Sequence, residues 1–212
     1  MKIYFDGCSY TKGSHRWGVD NWEERRWSKL LANKLDAEEY NFSLGGGSNQ
    51  RILRNITTEH NISDYDLAVI LMTRPMRTEF FHDGKFINVL PTKNFEKECI
   101  HTYCDGLEIA QFWDFYYKTI YDKEYGEKYE EVVQKSIKAI CAVNNVPLVI
   151  MSNWVKTPLS FDLMITCDKT DKYPSYERIN PTDNHPNLEA QPKIADDIYN
   201  FINKYKRFYW LW

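Results

Sequence analysis

The chain opens on an apolar run, Ile3-Tyr4-Phe5, that ends at Asp6-Gly7 and gives way to Cys8-Ser9-Tyr10-Thr11. A short apolar run closed by glycine reads as a buried strand, here within residues 3–11, breaking at Gly7 and delivering Ser9 to a loop. Residues 12–21 are polar. Trp27, Leu30, Leu31 and Leu35 then recur at helical spacing and predict an amphipathic helix over 23–35. Glu39-Tyr40-Asn41-Phe42 suits a second short strand, followed by the glycine-rich turn Ser43-Leu44-Gly45-Gly46-Gly47-Ser48-Asn49. That turn opens a helix with Ile52, Leu53 and Ile56 on its inner face and Ser48 or Asn49 as its N-cap.

Asp66-Leu67-Ala68-Val69-Ile70-Leu71-Met72 is almost continuously apolar, as expected of a strand covered on both faces. A charged loop from Thr73 to Glu79 follows it, and Phe80 to Val89 predicts a hairpin around Asp83-Gly84. Residues 94–143 carry helical patterns, read as two helices separated near Gly126. Val146 to Ser152 is the next buried strand. Residues 156–182 lose periodicity and predict a long loop near the site. Leu188 to Tyr205 closes the pattern as an amphipathic helix with Ile194, Ile198, Phe201 and Ile202 inward. Strands alternating with helices predict an α/β fold, a mostly parallel sheet with right-handed crossovers and helices on both faces. One domain over residues 1–212 is expected, with about 80–130 as a hairpin and helical insertion.

Composition narrows the partners. The chain of 212 residues has 27 basic and 30 acidic residues and a net charge of −3, which offers no electrostatic basis for nucleic-acid or anionic-membrane binding. The 5 cysteines (8, 99, 104, 141 and 167) form no C-x-x-C pair, against a disulfide framework or a zinc site, and suggest a reducing compartment. His15, His60, His82 and His101 lack metal-ligand spacing, so no metal and no cofactor are expected. No apolar leader and no membrane-length run are visible, and a cytoplasmic protein is expected. The aromatic share of 16% suits either carbohydrate-facing platforms or a core rich in large amphipathic side chains.

In a parallel sheet the carboxyl ends of the strands lie on one side, so Ser9, the turn at 45–47, Thr73 with Arg74, and Asn153 with Trp154 converge. Near the other end of the chain, Asp183-Asn184-His185 supplies an acid and an imidazole just before a helix. Taken singly, each piece has a bland reading: Ser9 a loop hydroxyl, Cys8 a small buried filler, the glycines a tight connection, Asp183 to His185 a capped helix start. Arg74 and Arg77 suit a substrate carboxylate or phosphate, and equally an ion pair with Glu79.

Taken together, Gly7-Cys8-Ser9-Tyr10-Thr11, Asn41 to Ser48, and Asp183-x-His185-Pro186-Asn187 resemble, in order, the first, second and last sequence blocks of the SGNH or GDSL hydrolase family. The resemblance implies a three-layer flavodoxin-like fold and ester hydrolysis. Ser9 would be the nucleophile, His185 and Asp183 would complete a triad, and Ser9 and Gly46 would supply oxyanion-hole amides. Two departures stand out. Where the family carries Gly-x-Asn-Asp, this chain has Met72-Thr73-Arg74-Pro75, so either Thr73 or Arg74 replaces the asparagine donor or the two amides act alone. The acid lies two residues before the histidine, whereas the family's usual position, three before, is Thr182 here. The resemblance suggests a small-molecule or carbohydrate ester, with Arg74, Arg77, Asn153 and Trp154 as substrate contacts. The rival is a catalytically degenerate fold that binds glycans or serves a structural role. The chain is similar in style to SGNH-like proteins of bacteria and their viruses, so a viral particle is an alternative location. The aromatic run Arg207 to Trp212 is expected to dock on the body or on a second subunit, giving a homo-oligomer.

Overall fold

Strand β1 (Lys2–Asp6) is the second of five strands in a sheet ordered β2 (Glu38–Asn41), β1, β3 (Leu67–Met72), β7 (Leu148–Ser152) and β8 (Leu163–Met164), every pair parallel. The computed structural model describes residues 1–13, 17–82, 84–90, 101–102, 111, 115–153, 162–165, 175–181 and 183–209. In chain order β1 is followed by α1 (Ser9–Lys12), α2 (Trp27–Lys34), β2 (Glu38–Asn41), α3 (Asn49–Arg54) and β3 (Leu67–Met72). Then come β4 (Thr78–His82), β5 (Lys85–Leu90), β6 (His101–Thr102), α4 (Lys123–Val143), β7 (Leu148–Ser152) and β8 (Leu163–Met164). The chain closes through β9 (Arg178–Asn180), β10 (Asp183–Pro186) and α5 (Ala190–Tyr209).

The period-two alternation of a strand divides the core into two halves. Ile3, Phe5, Val69, Leu71, Val149 and Met151 point to one face and pack against Trp27 and Leu31 of α2 and Ile194 and Ile198 of α5. Tyr4, Ala68, Ile70, Met72 and Ile150 point to the other, against Ile52 of α3 and Val133 and Ile137 of α4. All six residues of β3 are buried, which accounts for its unbroken apolar run. The sheet covered on both faces is thus the α/β arrangement that the alternation of elements predicts.

Several sequence expectations need correction. The helical stretch does part in two, but at Tyr121 and Asp122, after a helical turn at Tyr116–Ile120, and not at Gly126: α4 runs through that glycine, with Asp122 as N-cap accepting from the Glu124 and Tyr125 amides. The glycine serves a neighbour, since a Cβ there would collide with the Tyr121 hydroxyl. His101–Thr102, inside a stretch read as helix, pairs with β5 as a third antiparallel strand. Within the stretch read as loop, β8 completes the parallel sheet and β9 pairs with β10. These strands are two to four residues long, too short for periodicity to register. The hairpin stands where expected, β4 and β5 pairing from Thr78↔Val89 to His82↔Lys85 across Gly84. Glu79 pairs with Arg54 at 2.9 Å instead of Arg77. His15, Cys99, Cys104, Trp154, Cys167, Thr182 and Trp210 to Trp212 lie outside the described residues.

At the end of β1, a Cβ on Gly7 would stand 2.5 Å from Thr11 Oγ1 and 3.0 Å from the Leu71 carbonyl. Gly7→Ala is therefore expected to lower unfolding free energy by about 1–3 kcal/mol through overpacking. Ile70→Ala, in the centre of the buried strand, is expected to lower it by about 2–5 kcal/mol. Urea denaturation followed by circular dichroism measures both, and a shift of under about 0.5 kcal/mol for either contradicts the packing described.

Candidate active site

Ser9 is the first residue of the single turn α1, with Cys8 at the N-cap and the Thr11 and Lys12 amides bonded to the Cys8 carbonyl. The opening amides of a helical turn have no acceptor within it, so the Ser9 N–H remains outside the turn's own hydrogen bonds. The glycine turn lies alongside. Leu44 N donates to Gly7 O at 3.2 Å, and Gly47 N closes the turn onto Leu44 O at 2.9 Å. Gly46 sits at φ +76°, a backbone geometry that side chains disfavour. The closure uses the Gly47 amide and not that of Gly46. A Cβ on Gly47 would approach Gly7 O to 3.3 Å, so glycine here lets the two backbones close up.

His185 reaches this corner from β10. Its Nε2 lies 2.6 Å from Ser9 Oγ and its Nδ1 lies 2.5 Å from Asp183 Oδ1. The two-residue spacing works because Asp183 Oδ1 also accepts the His185 backbone N–H at 3.0 Å, an Asx-type turn that brings both side chains to one side. The pairing of β10 with β9 slips register between Asp183 and Pro186, which is the local irregularity this requires. A carboxylate only accepts, so Nδ1 carries the proton and the Nε2 lone pair faces the serine hydroxyl. Side-chain exposures of 28% for His185 and 13% for Asp183 leave the pair reachable from solvent.

Aromatic and amide side chains clamp β10 in place. Tyr10 donates its hydroxyl to the Asn184 carbonyl, and its ring lies 4.9 Å from that of His185. Trp17 Nε1 donates to Pro186 O at 3.1 Å, and Gln191 Nε2 donates to the same oxygen at 3.3 Å. Trp27 connects the two halves, its indole donating to Tyr10 O at 2.8 Å and its backbone N–H to Gln191 Oε1 at 3.1 Å. Asn187 Oδ1 caps α5 by accepting from Ala190 N at 2.9 Å.

The remaining candidates divide. Thr73 is fully buried: its amide donates to Asn49 Oδ1 at 2.8 Å, its carbonyl accepts from Asn49 Nδ2 at 3.0 Å, and its hydroxyl accepts from Arg77 Nη1 at 2.7 Å. The Thr73 amide is thus engaged, and Arg77 points inward onto Thr73. Arg74 follows on the same loop, half-buried. Asn153 lies just beyond β7, donating through Nδ2 to Cys8 Sγ at 3.3 Å, while its Oδ1 is buried without a hydrogen-bond partner among the described residues. Trp154 lies outside the described residues. Cys8 is fully buried, as a filler would be. Sequence reasoning missed Tyr10 and Trp17, which hold β10, and read Asn49 only as a candidate helix cap and not as the partner of Thr73.

Among the described residues no group of three His, Cys, Asp or Glu side chains gathers as a metal site, and no helix is long and apolar enough to cross a membrane.

Compared by sequence, the chain matches no family model and no curated protein. Compared by fold, it is similar to the psychrotrophic esterase EstA from Pseudoalteromonas sp., a structure inhibited by monoethylphosphonate, at 14% identity over 97% of this chain and 98% of that one, TM-score 0.54. It is similar to a family two carbohydrate esterase from Clostridium thermocellum in complex with cellohexaose, at 12% identity over 99% and 65%, TM-score 0.53. The acetyl xylan esterase Est2A from the rumen bacterium Butyrivibrio proteoclasticus gives 12% identity over 98% and 65%, TM-score 0.51. At these identities the likeness is one of fold: the parallel β2-β1-β3-β7-β8 sheet, covered by helices on both faces, is the three-layer α/β fold of these esterase structures.

Proposed function

We propose that the protein is a serine ester hydrolase whose nucleophile is Ser9, with His185 as general base and Asp183 as the group that orients it. The observation that carries this reading is the continuous contact from serine oxygen to imidazole to carboxylate at 2.6 Å and 2.5 Å. Ser9 Oγ attacks the ester carbonyl while His185 Nε2 takes its proton, and the imidazolium is stabilised by Asp183. The amides of Ser9 and Gly46 face the oxyanion. Collapse of the tetrahedral intermediate returns the proton to the leaving alkoxide and leaves an acyl-serine, which water hydrolyses by the same steps in reverse order of partners.

A short acyl group, such as acetate on a carbohydrate, is the substrate class we favour. The carbohydrate esterases among the fold neighbours and the Tyr10 ring beside His185 support it. Asn153, whose Oδ1 has no hydrogen-bond partner among the described residues, is assigned to substrate contact together with Arg74, whereas Arg77 is turned inward onto Thr73. A second reading, a glycan-binding module without turnover, draws on the engaged Thr73 amide, which withholds a donor at that strand end. One fold neighbour is described as a carbohydrate esterase whose active site has divergent catalytic and non-catalytic binding functions.

Ser9→Ala is expected to reduce p-nitrophenyl acetate turnover by at least about 1,000-fold and to abolish labelling by a fluorophosphonate. Asp183→Asn is expected to lower kcat by about 100- to 10,000-fold, because the amide favours the wrong imidazole tautomer. Unlabelled, inactive wild type supports the binding-module reading instead, and undiminished turnover in Ser9→Ala removes the serine from the mechanism.

A further inference from the structure

Arg51 is a polar residue of α3 that neither composition nor spacing singles out, yet only 11% of its side chain is exposed and it meets a carboxylate that is wholly buried. Asp6 Oδ1 accepts from Arg51 Nη1 at 2.9 Å and from the Gly7 amide at 2.7 Å. Asp6 Oδ2 accepts from Asn55 Nδ2 at 2.8 Å and from the Tyr4 hydroxyl at 3.1 Å. The other arm of the guanidinium, Nη2, donates to the Phe42 carbonyl, and the Arg51 backbone N–H is held by Ser48 Oγ at 3.2 Å.

One planar cation thus grips the end of β1 through Asp6 and the chain just past β2 through Phe42. The residues that follow those two grips are Gly7-Cys8-Ser9 and Ser43-Leu44-Gly45-Gly46. The gripped segments also meet directly, through Leu44 N to Gly7 O at 3.2 Å. A buried ion pair is a poor way to add stability, since an apolar replacement of similar volume is often as stable. A rigid fork with fixed donor directions is a good way to set the separation of two backbone segments.

We propose that Asp6 and Arg51 form a positioning pair that sets the Ser9 amide against the Gly46 amide, so that both donors aim at one oxyanion; this rests on the hydrolase reading above. Neither residue touches the substrate or the Ser9-His185-Asp183 contacts. Their influence falls on transition-state stabilisation and not on ground-state binding, because an oxyanion exists only after the carbonyl is attacked.

The test compares wild type with Arg51→Lys, which keeps the charge and loses the fork, and with the milder Asn55→Ala, which removes one donor to Asp6. With p-nitrophenyl acetate, Arg51→Lys is expected to lose roughly 10- to 100-fold in kcat, a fraction of what loss of a whole donor costs, with KM within about twofold of wild type. Fluorophosphonate labelling of Ser9 should slow in parallel, and the shape of the pH profile should stay as in wild type. Asn55→Ala should move kcat in the same direction by roughly 3- to 10-fold, and it decides the matter if Arg51→Lys does not fold. Folded variants with wild-type kcat, or with losses confined to KM, overturn the positioning role while leaving the hydrolase reading intact. An inert, unlabelled wild type overturns both.

Discussion

A buried charge needs a reason, and in this fold the wholly buried Asp6 is the constraint around which the corner of the site is organised. Burial pushes its carboxyl above the ordinary range, while the Arg51 guanidinium, the Asn55 side chain and the Gly7 amide pull it back. Removing one member of such a pair leaves the other uncompensated, at a cost of about 3–5 kcal/mol. The arrangement survives because every acceptor position on the carboxylate is filled from a different element: Tyr4 within β1, Gly7 just beyond it, Arg51 in α3, and Asn55 one residue past α3. Strand, glycine turn and helix cannot shift independently once these bonds are made. The same satisfaction of donors and acceptors recurs at Asn49, which holds both backbone groups of Thr73 and so joins the start of α3 to the end of β3.

The second constraint is the geometry of a very short segment. In β10 a single carboxylate oxygen accepts both the His185 backbone amide and, on the other side of the same residue, lies against the imidazole. One residue of extra separation between acid and base would break this local bond. The departure at Thr182 and Asp183 is therefore internally consistent: a tighter spacing is matched by a tighter turn and by a register slip against β9. Tyr10, Trp17 and Gln191 then supply from outside the rigidity that a two-residue loop does not have by itself.

Elements with strong periodicity are legible in the amino-acid sequence. The continuous apolar run of β3, the helical stripe of α5 and the capped start of α3 at Ser48 all rest on signals that span a turn or more. The glycine turn is legible because Gly46 adopts a conformation few other residues tolerate. The shortest strands are not, because pairing with β7 or β9 creates them and nothing inside two to four residues announces it. Gly126 misleads for a related reason: its glycine signals room for Tyr121 and not a chain break. Of the site, Ser9, Gly46, Asp183 and His185 can be named as candidates from sequence, but the Arg51 bridge cannot. Its two partners are 45 and 9 residues away in the chain, and only the folded sheet brings them to one side chain.

Tyr10 and Trp27 tie the opening of the chain to β10 and α5, and the serine and the imidazole that meet there are separated by 176 residues. A nascent chain can build β1, β2 and β3 and close the hairpin while its serine still has no imidazole beside it. Only when the segment carrying His185 has been made and α5 packs onto α2 does the Ser9 hydroxyl meet the imidazole, so this corner and the core around α5 form together.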